Sequence, residues 1–456
     1  TQSRSSAASD VYKRQVYTSV WFSAIYLLLL ISLIGCIVPR IVSHAKALRR
    51  QPPRVPARLD RLAAHASMIT SASAAEVSQR AQQWLTSHRY RFVVDDDGSL
   101  RAEAGRHRET GNLVFHIFLV FVLVGVGWNT LWGFKGTSVV VEGQGFSNSI
   151  TQYDEFKAGA MVDTDNLTPF SMKLRKFVVS FETGTVQRGA ARSFDATVDL
   201  TMGGKTQTRD LQVNHPLRIG STKVHLLGHG YAADVVVRDG DGKVAYSGPV
   251  VFLPQDANFK SVGVIKVPDA RPDRLAFQGF FLPTGAITAG GPTSLFPDAL
   301  NPQLYLTAWY GKPTVETGVP SNIYTLDTTG LTQVTNGKDK ARFVLSPGQR
   351  YKLPDGKGSI QFNGWQRWAK IQVSQNPGLP LTFLSVVLSV AGLCVSLFSR
   401  SRRVWVRTIP GDDGLRVEIG GLDRSDSRSG AVDDVNSLLA ALHGDSMSGD
   451  VGEEHS

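Results

Sequence analysis

Cysteine is almost absent: the 456 residues hold two thiols, Cys36 and Cys394, and both fall within long apolar stretches. No disulfide framework is therefore available to the large segment between them. CxxC and CxxCH are missing, which excludes dithiol redox chemistry and covalent haem attachment through the usual motif. Each thiol is expected to pack as a small buried hydrophobe. The chain also lacks GxSxG, HExxH, Walker A and EF-hand patterns. Gly143-Gln-Gly145 follows an apolar run with no intervening strand, so it is not a dinucleotide loop. These absences remove the common hydrolase and nucleotide-driven classes.

What the sequence does have is three concentrated apolar windows, Val16 to Val38, Leu113 to Phe134 and Leu379 to Phe398. Each approaches the roughly 20 residues that a helix needs to cross about 30 Å of hydrocarbon. The formal charge of +10 is gathered beside them. Arg40, Lys46, Arg49, Arg50, Arg54, Arg58 and Arg61 follow the first window, and Arg400, Arg402, Arg403 and Arg407 follow the third. Both flanks read as cytoplasmic, which makes the segment between the second and third spans extracytoplasmic. Anionic lipid headgroups are the expected partner of the flanks. Nucleic acid is not expected, because the Pro-interrupted flanks offer no folded basic face with interleaved aromatics.

The predicted fold class is a multi-pass α-helical membrane protein with a large extracytoplasmic all-β domain and a small cytoplasmic α+β loop module. Residues 1–15 stay unassigned. Spans are expected at 16–38, 112–134 and 379–399, the loop module at 39–111, the β domain at 135–378 and a cytoplasmic tail at 400–456. Within the loop, Ser71 or Ser73 caps a predicted helix reaching about His88, with Val77, Ala81, Trp84 and Leu85 at helical spacing. Two short strands follow around Asp97-Gly98. In the β domain, Lys173 to Phe181, Ala196 to Met202, Lys223 to Leu227 and Asp234 to Val237 alternate as strands, and Asp239 to Lys243 forms a turn. A sandwich or an irregular pair of β subdomains is expected. In the tail, Val404 to Ile419 suggests a hairpin and Val432 to Leu442 a short helix. The acidic stretch after them has the composition of a disordered segment.

His116 is the candidate that carries chemistry. It lies four residues into the second apolar window, where an imidazole loses hydration unless it finds a polar partner, a metal, a cofactor or a route back to the interface. Two readings stay open: an axial ligand or proton-handling group near the cytoplasmic face, and a snorkelling or hydrogen-bonded helix residue. Trp128, Trp132 and Phe134 fit an interfacial aromatic belt, as do Trp21, Phe22 and Tyr26. His225 and His229 occur in KVHLLGHGYA with His215 nearby. Gly228 and Gly230 favour a bend there, and no Asp, Glu or Cys completes a ligand set, so these histidines are secondary candidates for metal or haem contact.

Several segments, taken in order, resemble the ResB family of cytochrome c biogenesis system II, in its actinobacterial form. They are VYTSVWFSAIYLLLLISLIGCIVPR, NLVFHIFL, NHPLRIG with GHGYA, VFLPQD, SVGVIKVPDA, GPTSLFPDALNP, GVPSNIYTLD, LPDGKGSIQFNGWQRW, NPG and RRVWVR. The resemblance implies a non-catalytic subunit of a haem lyase, or cytochrome c synthase, in the plasma membrane. It works with a WWD-domain haem-handling membrane protein of the ResC or CcsA type and delivers haem to apocytochrome c. It also implies haem b as cofactor, shared with the partner, and His116 as the matching axial ligand; His215, His225 and His229 inherit no role from it. The chain departs from the family by lacking the expected first span, so a span upstream of residue 1 is expected. The competing reading is a membrane-anchored extracytoplasmic sensor or binding protein without haem.

Overall fold

A computed structural model describes residues 19–313, 324–412, 414–423 and 429–443. The expectations for residues 1–15, for the first part of GVPSNIYTLD and for the acidic end of the tail fall outside them. Two compact units emerge, one drawn from the chain up to Gly127 and from Gly378 onward, the other Trp128–Pro377. The described helices are α1 (Val20–Arg49), α2 (Ala74–Ser87), α3 (His107–Trp132), α4 (Leu379–Phe398) and α5 (Ser429–His443).

Helices α1, α3 and α4 are long and apolar enough to cross a membrane. α1 starts at Ser19, whose hydroxyl accepts the Phe22 amide at 3.2 Å. It does not stop at Val38: Pro39 is absorbed inside the helix, which runs on to Arg49. At 30 residues it is about 45 Å long, more than a hydrocarbon core needs, so its basic end extends past the apolar part. α3 likewise begins at His107, before the expected 112, with a polar first turn.

Small residues bring α3 and α4 together. A Cβ on Gly392 would meet the Phe115 amide and the Gly111 carbonyl, and one on Gly125 would meet Thr382 and the Gly378 carbonyl. Ser389 adds a hydrogen bond from its hydroxyl to the Phe115 carbonyl at 3.2 Å. Backbones approach this closely only where side chains are minimal, which is how apolar helices associate without a hydrophobic driving force. α1 joins α3 through the Tyr26 hydroxyl, which donates to the Leu123 carbonyl, and through His44 Nε2, 2.9 Å from Thr110 Oγ1. At its C-terminal end the Ala47 and Leu48 carbonyls accept from Arg106, and Ile37 is the one buried residue of α1. Cys36 and Cys394 are exposed on their helices, so neither thiol packs in the interior as expected.

The expected helix-plus-hairpin module proves to be half of a fold. Its hairpin, Arg91–Val94 with Leu100–Ala104, forms one edge of a five-stranded antiparallel sheet, and the tail hairpin, Arg402–Gly411 with Gly414–Asp423, lies next to it. An unpredicted strand, Ala64–Thr70, closes the far edge. Val77, Ala81, Trp84 and Leu85 of α2 are buried as their spacing implied, in one core with Val404, Val406, Val417, Ile419 and Leu438. Polar ties lock loop to tail: Arg402 pairs with Asp434 at 2.8 Å, and the Tyr90 hydroxyl donates to the same carboxylate at 2.6 Å. The Trp405 indole donates to the Pro53 carbonyl at 3.0 Å, which holds the Pro-broken stretch against the sheet.

The second unit is β throughout its described sheets, with a twelve-stranded sheet and a separate four-stranded one. The two segments expected at Lys223 to Leu227 and Asp234 to Val237 are one 17-residue strand, Thr222–Arg238, paired along its length with Ser359–Gln375. These two strands serve two cores. Val224, Leu226, Ala369, Ile371 and Val373 pack with Phe177 and Leu211, whereas Tyr231, Val235, Val237, Ile360 and Phe362 pack with Phe252, Phe277 and Phe281. On the opposite face Gly230 leaves room for the Trp368 indole, which donates to the carbonyls of Tyr231 at 3.0 Å and Phe252 at 3.2 Å.

Candidate functional site

His116 is half-buried in α3, nine residues from the helix start and so about 14 Å along its axis. Its Nδ1 lies 2.7 Å from the Asn112 carbonyl. A carbonyl only accepts, so Nδ1 carries the proton and donates, and Nε2 is left as the lone-pair nitrogen. This is the arrangement a metal-ligating histidine uses, with one nitrogen pinned to a backbone carbonyl and the other presented. Phe115 meets the ring edge-on at 4.9 Å, which further limits its rotation. Ser389 anchors the Phe115 carbonyl, so the α3–α4 seam and the imidazole share a neighbourhood.

One turn below, Asn112 also lines a cleft of about 1040 Å³ formed by the ends of α1, α3 and α4 with the loop that leads into α3. Five arginines, Arg40 and Arg108 among them, face it together with two glutamates. Gly105 forms the turn into α3 at φ +74, against the Arg400 backbone, where a Cβ could not fit. Sequence reading weighed the arginines after the first and third spans and overlooked the RHRE segment before the second. The same charge bias at a helix end would have marked it.

The bend expected at His225 and His229 is instead a bulge at Leu227 inside a continuous strand: Leu226 pairs with Ile371 and Gly228 with Lys370. The extra residue reverses the alternation, so the two histidines point to opposite faces and cannot ligate one ion together. His225 is partly exposed, and burial, then Lys223 and Lys135, lower its pKa. His229 turns inward among Phe177, Phe181, Phe194 and Phe259, stacked on the last at 4.6 Å. Its Nδ1 is buried without a partner. Burial, then the Arg367 charge, lower its pKa to about 4. His215 is exposed in a turn. No cluster of three or more His, Cys, Asp or Glu able to hold a metal ion occurs among the described residues.

The depressed value of His229 makes the β unit acid-sensitive. The unfolded chain binds the proton near pH 6.5 and the folded one only near 4, so stability present above about 6.5 drains as pH falls toward 4. The loss amounts to about 3 kcal/mol. Near-ultraviolet circular dichroism melts of the whole chain at pH 7.5 and 4.5 should show a smaller acid penalty in His229→Phe than in wild type. Equal penalties would remove His229 as the cause.

Comparison with known proteins adds a lineage. The ResB-like family matches residues 12–432. A protein of Synechococcus sp. (strain JA-3-3Ab) called cytochrome c biogenesis protein CcsB is 23% identical over 392 residues, 86% of this chain and 70% of that protein. Proteins of the same name from Synechococcus sp. (strain WH7803) and Prochlorococcus marinus (strain NATL2A) are 24% and 21% identical over 89% and 94% of this chain, and 79% and 84% of their own lengths. With the match running from ahead of the first apolar helix through the tail hairpin and into α5, the chain belongs to the ResB-like family.

Proposed function

We propose that this chain is a cytochrome c assembly factor of the plasma membrane. In this reading it holds haem at His116 and, with a WWD-domain membrane partner, passes it to apocytochrome c on the outer face. The observation that carries the reading is the pinned imidazole: within an apolar helix, the Nδ1–H bond to Asn112 leaves Nε2 poised as a ligand. The relatives named for cytochrome c biogenesis agree with it. Haem is cargo here. It brings the vinyl groups across which reduced apocytochrome thiols add, sulfur to one carbon and hydrogen to the next, with no leaving group.

What this chain's residues contribute is ligation and positioning, so it acts as a non-catalytic subunit. His116 would hold the haem through its Nε2, with a second ligand coming from elsewhere in this chain or from the partner. The sheet that unites loop and tail supports a topology in which both lie on one side of the membrane. Their arginines favour the cytoplasm for that side, and with one crossing by α3 the β unit is read as extracytoplasmic. The basic flanks meet anionic lipid headgroups.

Complementation tests the function. In cells deprived of their own factor, this chain expressed with its membrane partner should restore holo-cytochrome c on haem-stained membrane gels, and either protein alone should not. Full maturation without the chain would refute the reading.

A further inference from the structure

The cleft beneath His116 is built for something with more than one negative charge. Its five arginines outweigh two glutamates by three charges. Arg106 is committed, since it pairs with Glu103 at 3.3 Å and donates to the Ala47 and Leu48 carbonyls at the end of α1. Arg40 on α1 and Arg108 in the first turn of α3 are exposed, and neither guanidinium has a hydrogen-bond or ion-pair partner among the described residues. Two guanidinium forks on different helices, facing one cleft, match a ligand with two separated carboxylates. The volume stands at the upper end of the roughly 300–1,000 Å³ of small-molecule sites.

Asn112 joins this cleft to the imidazole: it lines the cleft, and its carbonyl fixes the His116 ring one turn, about 6 Å, further along α3. A ligand seated with its acidic edge among the arginines lies one helical turn from the imidazole, with Asn112 between them. A phospholipid headgroup shares the anionic chemistry, but a single phosphodiester leaves the second fork unused and has no need of the ligating nitrogen.

We propose that this cleft is the carboxylate clamp of the haem site, with Arg40 and Arg108 holding the two propionates of the haem that His116 ligates. The clamp makes loading at the inner face selective for the free dicarboxylate. It rests on the haem reading above, and the two can fail separately.

The test uses the full chain in nanodiscs of neutral lipid, titrated with haemin and with haemin dimethyl ester while the Soret band is followed. Wild type should bind haemin at least about tenfold more tightly than the ester. The double variant Arg40→Gln, Arg108→Gln should lose that preference and bind haemin about as weakly as wild type binds the ester. Unchanged ester binding with the Soret spectrum of wild type shows that the variant is folded. Equal affinity of wild type for haemin and its ester, or equal haemin binding by variant and wild type, overturns the clamp and leaves the haem reading standing. If phosphatidylglycerol in the nanodiscs competes with haemin in wild type, and the variant loses affinity for that lipid alone, the cleft is a headgroup site and the clamp is wrong. Absence of haemin binding by wild type overturns both.

Discussion

His116→Ala should strip haem from the purified chain and its partner, lowering affinity on the order of a hundredfold or more and abolishing the low-spin spectrum. The substitution is clean for a structural reason. The ring is half-buried and its hydrogen bond is to a carbonyl of its own helix, so removing it breaks no tie to α1 or α4. Protein level and melting temperature should therefore stay close to wild type while haem content and holo-cytochrome c fall. Added imidazole, which can occupy the vacated position, should restore part of the spectrum. An unchanged spectrum together with full cytochrome c maturation would sink the ligand role. Loss of the protein from the membrane would show instead that His116 holds the helices together.

Gly392→Leu should have the largest effect on stability. The new Cβ would lie 2.8 Å from the Phe115 amide nitrogen and 2.9 Å from the Gly111 carbonyl oxygen, and both are backbone atoms of α3 that cannot turn aside. The helices must separate, which also strains the Ser389 bond to Phe115. Overpacking of this kind costs about 3 kcal/mol. Gly35→Leu is the matched control, because nothing lies within 4 Å of its added Cβ and the leucine would join an exposed helix face. Thermal melts in detergent should separate the two variants by several degrees, with Gly35→Leu near wild type. Coincident melts would mean that α3 and α4 do not pack through Gly392.

The long apolar helices and the β character of the second unit could be read from the chain because apolar runs and period-two alternation are local signals. So could α2, whose four buried positions follow helical spacing. Local signals misled where a neighbour decides. Pro39 looked like a stop, yet α1 passes through it. Gly228 and Gly230 looked like a bend, yet one extra residue at Leu227 was enough to send His229 inward while Thr222–Arg238 stayed continuous. The thiols looked like interior packing because apolar surroundings in sequence say nothing about which side of a helix meets another. His116 was visible as an energetic oddity. Its hydrogen bond and the basic cleft beneath it were not, since the cleft draws on α1, α3, α4 and the loop before α3.

The five-stranded sheet also sets an order of manufacture. Leu100–Ala104 is made early, but the strand beside it, Arg402–Gly411, leaves the ribosome only after the whole β unit and α4. Until then the first hairpin waits with an unpaired edge and half a core, a state that invites wrong partners. Closure of the sheet must wait for that strand. It can occur only when the tail, made after α4, reaches the loop, so a closed sheet certifies that the two distant stretches of the first unit have met.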